Sequence, residues 1–364
     1  MNNTSCPVAH AVINVAGFQS LVLLQVIISI GAMVSNSLFL AIIWRVGVFH
    51  VNLKLLLANF NLVLLAYSAG FLYKSMSTLA TVWEGDVCTF GAIAYDCKLS
   101  ELVVAVPNAG VNYASLIVCL ERVYCTIRYK RYDKSGQIKP WVSIILIILC
   151  YSALFGHQLG FLFNVVLRDR RVAYCENMLS LTPETAVSGI TISFTTEILA
   201  VLLSLIVYLY NKYQLQKAFL NRNNENLGSR FQLDQNVKIN RLLTPAIFLE
   251  AICYIPTFTF LILLAKGTTM KPEIKVFWIN VTYNFKLFFA FLQPILGFIL
   301  NPALKKSLKE VFPKSAACFA LNTAKVAPAI VGLEQNMNPA LVACTHFDQA
   351  AKLWSVVPPS RSPL

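Results

Sequence analysis

Seven long apolar blocks, separated by short polar stretches, restrict this chain more than any other feature. They run from Leu21 to Trp44, Leu53 to Tyr73, Leu99 to Val123, Trp141 to Phe163, Val187 to Tyr210, Leu242 to Ala265 and Val276 to Leu300. A helix needs about 20 apolar residues to cross a hydrocarbon core of ~30 Å, so the block length predicts an all-α membrane protein, a bundle of seven transmembrane helices. The third block is the least obvious, because it holds Glu101, Pro107, Asn108 and Asn112, but the remaining loops make sense only if it spans. The first block starts too far from Met1 and runs too long for a cleaved signal peptide, and reads as a helix that serves as its own signal anchor.

Composition excludes the soluble alternative. Apolar residues make up 57% of the chain and charged residues 13%, where soluble domains carry about 25% charged. The expected organisation is a head over residues 1–20, a seven-helix domain over 21–301, an amphipathic helix over 302–313 and a disordered tail over 314–364. No metal-ligand cluster, nucleophile–base pair or glycine-rich phosphate loop stands out, and His10, His50, His157 and His346 are scattered. The chain is therefore not expected to be an enzyme, or to hold a metal or cofactor.

A net charge of +13 would point to nucleic acid in a soluble protein, but in a membrane protein the placement of Lys and Arg sets orientation instead. With the amino terminus outside, 21 of the 30 lie on inner loops and tail, 8 lie on the outer side, and Lys286 sits inside the seventh block. This asymmetry predicts an outer amino terminus and an inner carboxyl terminus. Asn2 and Asn3 begin overlapping glycosylation sequons on the expected outer side. Cys6, Cys88, Cys97 and Cys175 also fall there, where disulfides persist, and more than one pairing is open to them. Cys318, after a basic amphipathic segment on the inner side, is a candidate for palmitoylation.

Several motifs resemble those of rhodopsin-like receptors. Glu121-Arg122-Val123-Tyr124, at the inner end of the third block, is similar to their Asp/Glu-Arg-Tyr motif, and Cys97 stands 25 residues before Arg122, as their disulfide cysteine does. The resemblance implies a switch at Glu121, Arg122 and Tyr124, in which the acid holds the arginine until release turns it to a G protein. It also implies a disulfide between Cys97 and Cys175, with Cys6 and Cys88 as a second candidate pair. Cys253-Tyr254-Ile255-Pro256 resembles their Cys-Trp-x-Pro with Tyr254 in place of Trp. Gln293-Pro294-Ile295-Leu296-Gly297 stands where they carry Asn-Pro-x-x-Tyr, so Pro256 and Pro294 are expected as helix pivots. After it, Leu304, Leu308, Val311 and Phe312 share a face opposite Lys305, Lys306 and Lys309, as an interfacial helix at the lipid surface needs. Asn36 resembles the usual asparagine of helix one, whereas helix two has no acid to match the usual sodium-site aspartate.

Ionisable residues within spans are expensive and mark candidate function. Glu101, Glu197, Glu250 and Lys286 qualify, and the expected ligand cavity is formed from Glu101, Asn108, Glu197, Tyr254, Phe258, Tyr283 and Lys286. Glu250 lies nearer the inner end and reads as structural. Lys286 lies eight residues before Pro294, one more than the opsin lysine, and that offset turns a side chain by ~100°, so a retinal Schiff base is not expected.

Three further stretches resemble the nematode serpentine chemoreceptors of the Sra superfamily, either its alpha-beta (Srab) or its alpha (Sra) class. They are Phe49-His50-Val51-Asn52-Leu53-Lys54-Leu55-Leu56-Leu57, Leu120 to Thr126 followed by Tyr132-Asp133-Lys134-Ser135, and Ser229 to Asn236 leading to Leu243-Thr244-Pro245. Cys125 and Gln235 depart from the pattern, where that family carries Ala and Glu. The resemblance implies a plasma-membrane receptor in sensory neuron cilia that detects an external small molecule and couples to a heterotrimeric G protein. The rival is a seven-helix channel or transporter, which would show inverted repeats or a chain of pathway charges; neither is evident.

Overall fold

A chain that buries its backbone in hydrocarbon must pair every N–H and C=O within the span, and helices do so segment by segment. A computed structural model of the protein describes residues 10–46, 49–84, 92–128, 140–163, 171–172, 183–220, 227–265 and 270–311. The helices are α1 (Phe18–Ile43), α2 (Val51–Glu84), α3 (Ala94–Arg128), α4 (Trp141–Phe163), α5 (Pro183–Leu220), α6 (Leu227–Ala265), α7 (Pro272–Leu300) and α8 (Pro302–Val311). Seven of them, α1 to α7, are long and apolar enough to cross a membrane. The seven blocks of the sequence map onto these helices in order. The only strands among the described residues are β1 (Ala92–Ile93) and β2 (Arg171–Val172), which pair antiparallel with Ala92 opposite Val172.

Several helices outrun the apolar blocks that announce them: α2 continues past Tyr73 to Glu84, α5 past Tyr210 to Leu220, and α6 begins at Leu227 rather than Leu242. Beyond the hydrocarbon the i to i−4 backbone ladder still adds one bond per residue, so polarity alone does not stop it. The Asp234–Lys238 pair, one turn apart at 2.8 Å, supports the polar start of α6.

Burial sorts the helices into centre and rim. Of the apolar stretch of α2, 67% is buried, and of α3, 61%, against 22% for α4. The outward faces of α1, α4 and α5 expose rows such as Leu23, Ile27, Ile30 and Val34, or Leu202, Ile206 and Leu209. Apolar surface on this scale is a lipid-facing surface. The interior gathers Phe60, Tyr67, Phe71, Tyr254, Tyr283 and Phe289 into one cluster. At the end where α1 starts, Gly17 (φ 85°) turns the chain, and Val12 and Ile13 of the head pack with Phe18, Val22, Leu79 and Val276.

Lipid tails are as apolar as leucine, so close packing and polar cross-links must hold such helices together. Proline and glycine set the closest approaches. Pro107 has no N–H to offer the carbonyl of Val103, one turn back in α3. Gly70 of α2 lies against that carbonyl so tightly that a Cβ added there would sit 2.7 Å from the oxygen. Pro294 frees the carbonyl of Ala290 in the same way, and Asn36 of α1 supplies the missing donor, Nδ2 to O at 2.9 Å. Ser35 donates to the next carbonyl, Phe291, at 3.2 Å. Gly297, where tyrosine stands in rhodopsin-like receptors, leaves room for Phe39: a Cβ there would meet its ring at 2.8 Å.

The turn into α8 is built by Asn301, whose Oδ1 accepts from the backbone N–H of Ala303 (2.9 Å) and Leu304 (3.2 Å), with Pro302 in the first helical position. The chain divides into two compact units, residues 1–307 and 308–364. Asn2, Asn3, Cys6, Cys88, Cys175, Phe312 and Cys318 lie outside the described residues, as does the side chain of Cys97.

Candidate functional site

Helix α3 carries the site. Asn108, Asn112, Ser115, Cys119, Arg122 and Thr126 recur at three- or four-residue spacing and so share one face, which is turned into the bundle. Each turn reaches a different neighbour. Asn108 Oδ1 accepts from Lys286 Nζ of α7 at 3.0 Å. Asn112 Nδ2 donates to the carbonyl of Ser193 in α5 at 3.4 Å, and the Cys119 thiol to that of Ala200 at 3.3 Å. The Ser115 hydroxyl donates to Glu250 of α6, and Asn211 of α5 to Thr126 at 2.8 Å.

The upper part of this stripe is the core cluster. Lys286 is 5% exposed, and its ammonium sits 4.0 Å from the centroid of the Tyr254 ring and 5.8 Å from that of Phe258. A cation over an aromatic face is attracted by the ring quadrupole, more strongly when desolvated. Glu197 of α5 and Glu250 of α6, both buried, lie within electrostatic reach of Lys286 and of each other. Neither oxygen of Glu197 has a hydrogen-bond partner, nor does Glu250 Oε1. The aromatic wall continues from Tyr254 through Phe258 to Phe194, with centroids 5.7 and 5.2 Å apart. Thr257, beside Pro256, donates to the carbonyl of Thr282 at 3.3 Å and ties α6 to α7.

Of the seven expected cavity residues, Asn108, Glu197, Tyr254, Phe258 and Lys286 come together here. Tyr283 lies in the same core but faces Lys74, the partner of Glu101. Lys74 pairs with Glu101 at 2.9 Å and stands 5.9 Å from the Tyr283 ring, which packs edge-on against Phe71. Glu250 is tied in through Ser115, more intimately than its placement in sequence implies.

At the opposite end of the stripe, Arg122 lies along its own neighbour. Its Nε and Nη2 donate to the two oxygens of Glu121 at 2.5 and 2.6 Å, with exposures of 5% and 0% for the two residues. The Cys125 thiol, one turn on, donates to Glu121 Oε1 at 3.0 Å. Tyr124 is 38% exposed, with Arg128 5.9 Å from its ring. Charged pairs of this kind cost several kcal/mol to desolvate and persist when geometry is bidentate.

Sequence reasoning missed Asn112, Ser115, Cys119 and Cys125 as members of these groups. Their signal was the helical spacing with Asn108 and Arg122, which is visible once the helix is accepted.

Comparison with known proteins decides the class. A family model described as serpentine type 7TM GPCR receptor class ab chemoreceptor matches residues 3–308. The chain belongs to this family. Of the two classes the sequence resemblance leaves open, it is the alpha-beta one. Serpentine receptor class alpha/beta-14 of Caenorhabditis elegans is 22% identical over 373 residues, which cover 96% of this chain and 92% of that protein. As an Srab receptor the protein is a multi-pass membrane protein of a chemoreceptor family rather than an enzyme family. The core cluster and the Glu121–Arg122 pair both lie inside the matched region.

Proposed function

We propose that the protein detects an external small molecule at the core cluster and activates a heterotrimeric G protein from its Glu121–Arg122 end. The observation that carries this reading is the single face of α3, which bears the Lys286 contact at one end and Arg122 at the other and bonds to α5 and α6 at the turns between them. A ligand that moves α5, α6 or α7 has to change the partners of that face. Arg122 is paired with Glu121, its neighbour in the same helix, and the charge on that acid favours the held arrangement. Pro256 and Pro294 break the backbone ladders of α6 and α7 where those helices meet the cluster, which favours hinging there. The amino terminus faces outward at the plasma membrane, the Cys97–Cys175 disulfide braces the outer side, and sensory cilia are the site of action.

The test is a pair of substitutions in cells with a G-protein readout. Glu121→Gln removes the charge that holds Arg122 and raises basal signalling. Arg122→Ala removes signalling, ligand-evoked and basal, while surface expression is kept. Retained signalling in the Arg122→Ala chain would overturn the assignment.

A further inference from the structure

Lys286 and Glu197 are buried ionisable groups of opposite sign, set on α7 and α5. The ammonium has three protons and spends one on Asn108 Oδ1. Glu197 is 3% exposed and has no hydrogen-bond partner at either oxygen. No ion pair joins the two among the described residues, although they interact electrostatically. Buried polar groups are expected to be satisfied, and a carboxylate with two open oxygens in a bilayer-depth site is an expensive exception. Lys286 lies 14 residues into α7, about 21 Å along the helix from Pro272 at ~1.5 Å per residue, so the pair sits near mid-membrane.

The head group that satisfies both sides must accept from Lys286 and donate to Glu197. A cationic head would serve Glu197 but meet the Lys286 ammonium. An anionic head would serve Lys286 but meet Glu197, with Glu250 behind it. A neutral hydroxyl or carboxamide does both jobs with one group. Beside it stand the rings of Tyr254, Phe258 and Phe194, which offer an apolar wall to the rest of the molecule.

We infer that the receptor's ligand is an uncharged molecule whose hydroxyl or carboxamide bridges Lys286 and Glu197, with its apolar body against Tyr254 and Phe258. The inference rests on the receptor reading above. Glu197 and Lys286 then set specificity between them: the pair selects for a head that both donates and accepts, and against one that does only one.

The experiment uses the full chain in signalling cells and purified in nanodiscs, with two matched panels as probes. One is 2-phenylethanol, phenylacetamide, 2-phenylethyl methyl ether, 2-phenylethylamine and phenylacetate; the other is 1-octanol, octanamide, octyl methyl ether, octylamine and octanoate. Signalling and thermal stabilisation are expected from the alcohol and amide, with the ether, amine and acid weaker by roughly 10- to 100-fold, the factor that one hydrogen bond to a charged group supplies. Glu197→Leu and Lys286→Met are expected to erase that preference, and Glu197→Gln, which keeps an acceptor oxygen, to restore part of it. Loss of folding in the Leu or Met variant is recognised by surface expression, and the Gln variant then carries the comparison. A preference for the amine or the acid, an ether as potent as its alcohol, or a preference untouched by these substitutions would overturn the inference. So would silence of both panels in a chain whose Glu121→Gln variant signals. If the Glu121→Gln variant itself is silent at the surface, the receptor reading has failed instead.

Discussion

Replacing Gly70 by alanine tests how closely the two central helices are packed. The new Cβ would lie 2.7 Å from the Val103 oxygen, 3.2 Å from its carbonyl carbon and 3.3 Å from Val104 Cγ2. Two of these atoms are backbone, so relief requires α2 and α3 to move apart by several tenths of an ångström. That shift would loosen the packing of Phe71 and Val104 in the shared core, and overpacking of this kind costs ~1–3 kcal/mol. A domain of 150–250 residues loses roughly 2–4 °C of Tm per kcal/mol, so a drop of about 2–12 °C is expected. Gly156 of α4 is the control, since an added Cβ there meets nothing within 4 Å. Alanine at 156 removes glycine's helix penalty of up to ~1 kcal/mol and leaves Tm unchanged or higher. The assay is thermal unfolding of the purified chain in detergent, followed by a thiol-reactive dye on the buried cysteines Cys119, Cys150 and Cys253. A Gly70→Ala chain as stable as Gly156→Ala would refute the argument that the Val103 carbonyl sets the spacing of α2 and α3.

Two further outcomes follow from the same geometry. Asn36→Ala leaves the Ala290 carbonyl without its donor beside Pro294, and unfolding should show a loss of about 1–3 kcal/mol; no loss would mean that this carbonyl is satisfied in another way. A peptide tag fused to the amino terminus should be stained by antibody on live, unpermeabilised cells, and staining only after permeabilisation would reverse the orientation read from Lys and Arg.

What the sequence made legible follows from what hydrocarbon demands. Crossing a bilayer requires contiguous apolar residues, so the seven spans were visible as blocks. Outside the hydrocarbon that demand lapses, and the extra turns of α2 up to Glu84 and the early start of α6 at Leu227 carry no apolar mark. The apolar block of α2 ends at Tyr73, one residue short of Lys74, so nothing in the block marks the Lys74–Glu101 pair. Pro294 and Asn36 each stood out as single residues, yet their partnership depends on how α1 lies along α7. Gly70 gave no signal, for its role is to be absent beside a carbonyl that Pro107, 37 positions away, sets free. Tyr124, expected in the switch by its resemblance to the Asp/Glu-Arg-Tyr motif, is turned outward by its helical phase, which the motif alone does not reveal.

The bonded face of α3 bears on how abruptly the protein can change state. Asn108, Asn112, Ser115 and Cys119 hold α7, α5, α6 and α5 in turn along a rigid rod. Turning that rod breaks these contacts together, while a shift of any one partner helix strains the rod at a single point. The response is thereby biased toward two discrete arrangements rather than a continuum, and its threshold is set by the joint strength of four modest bonds.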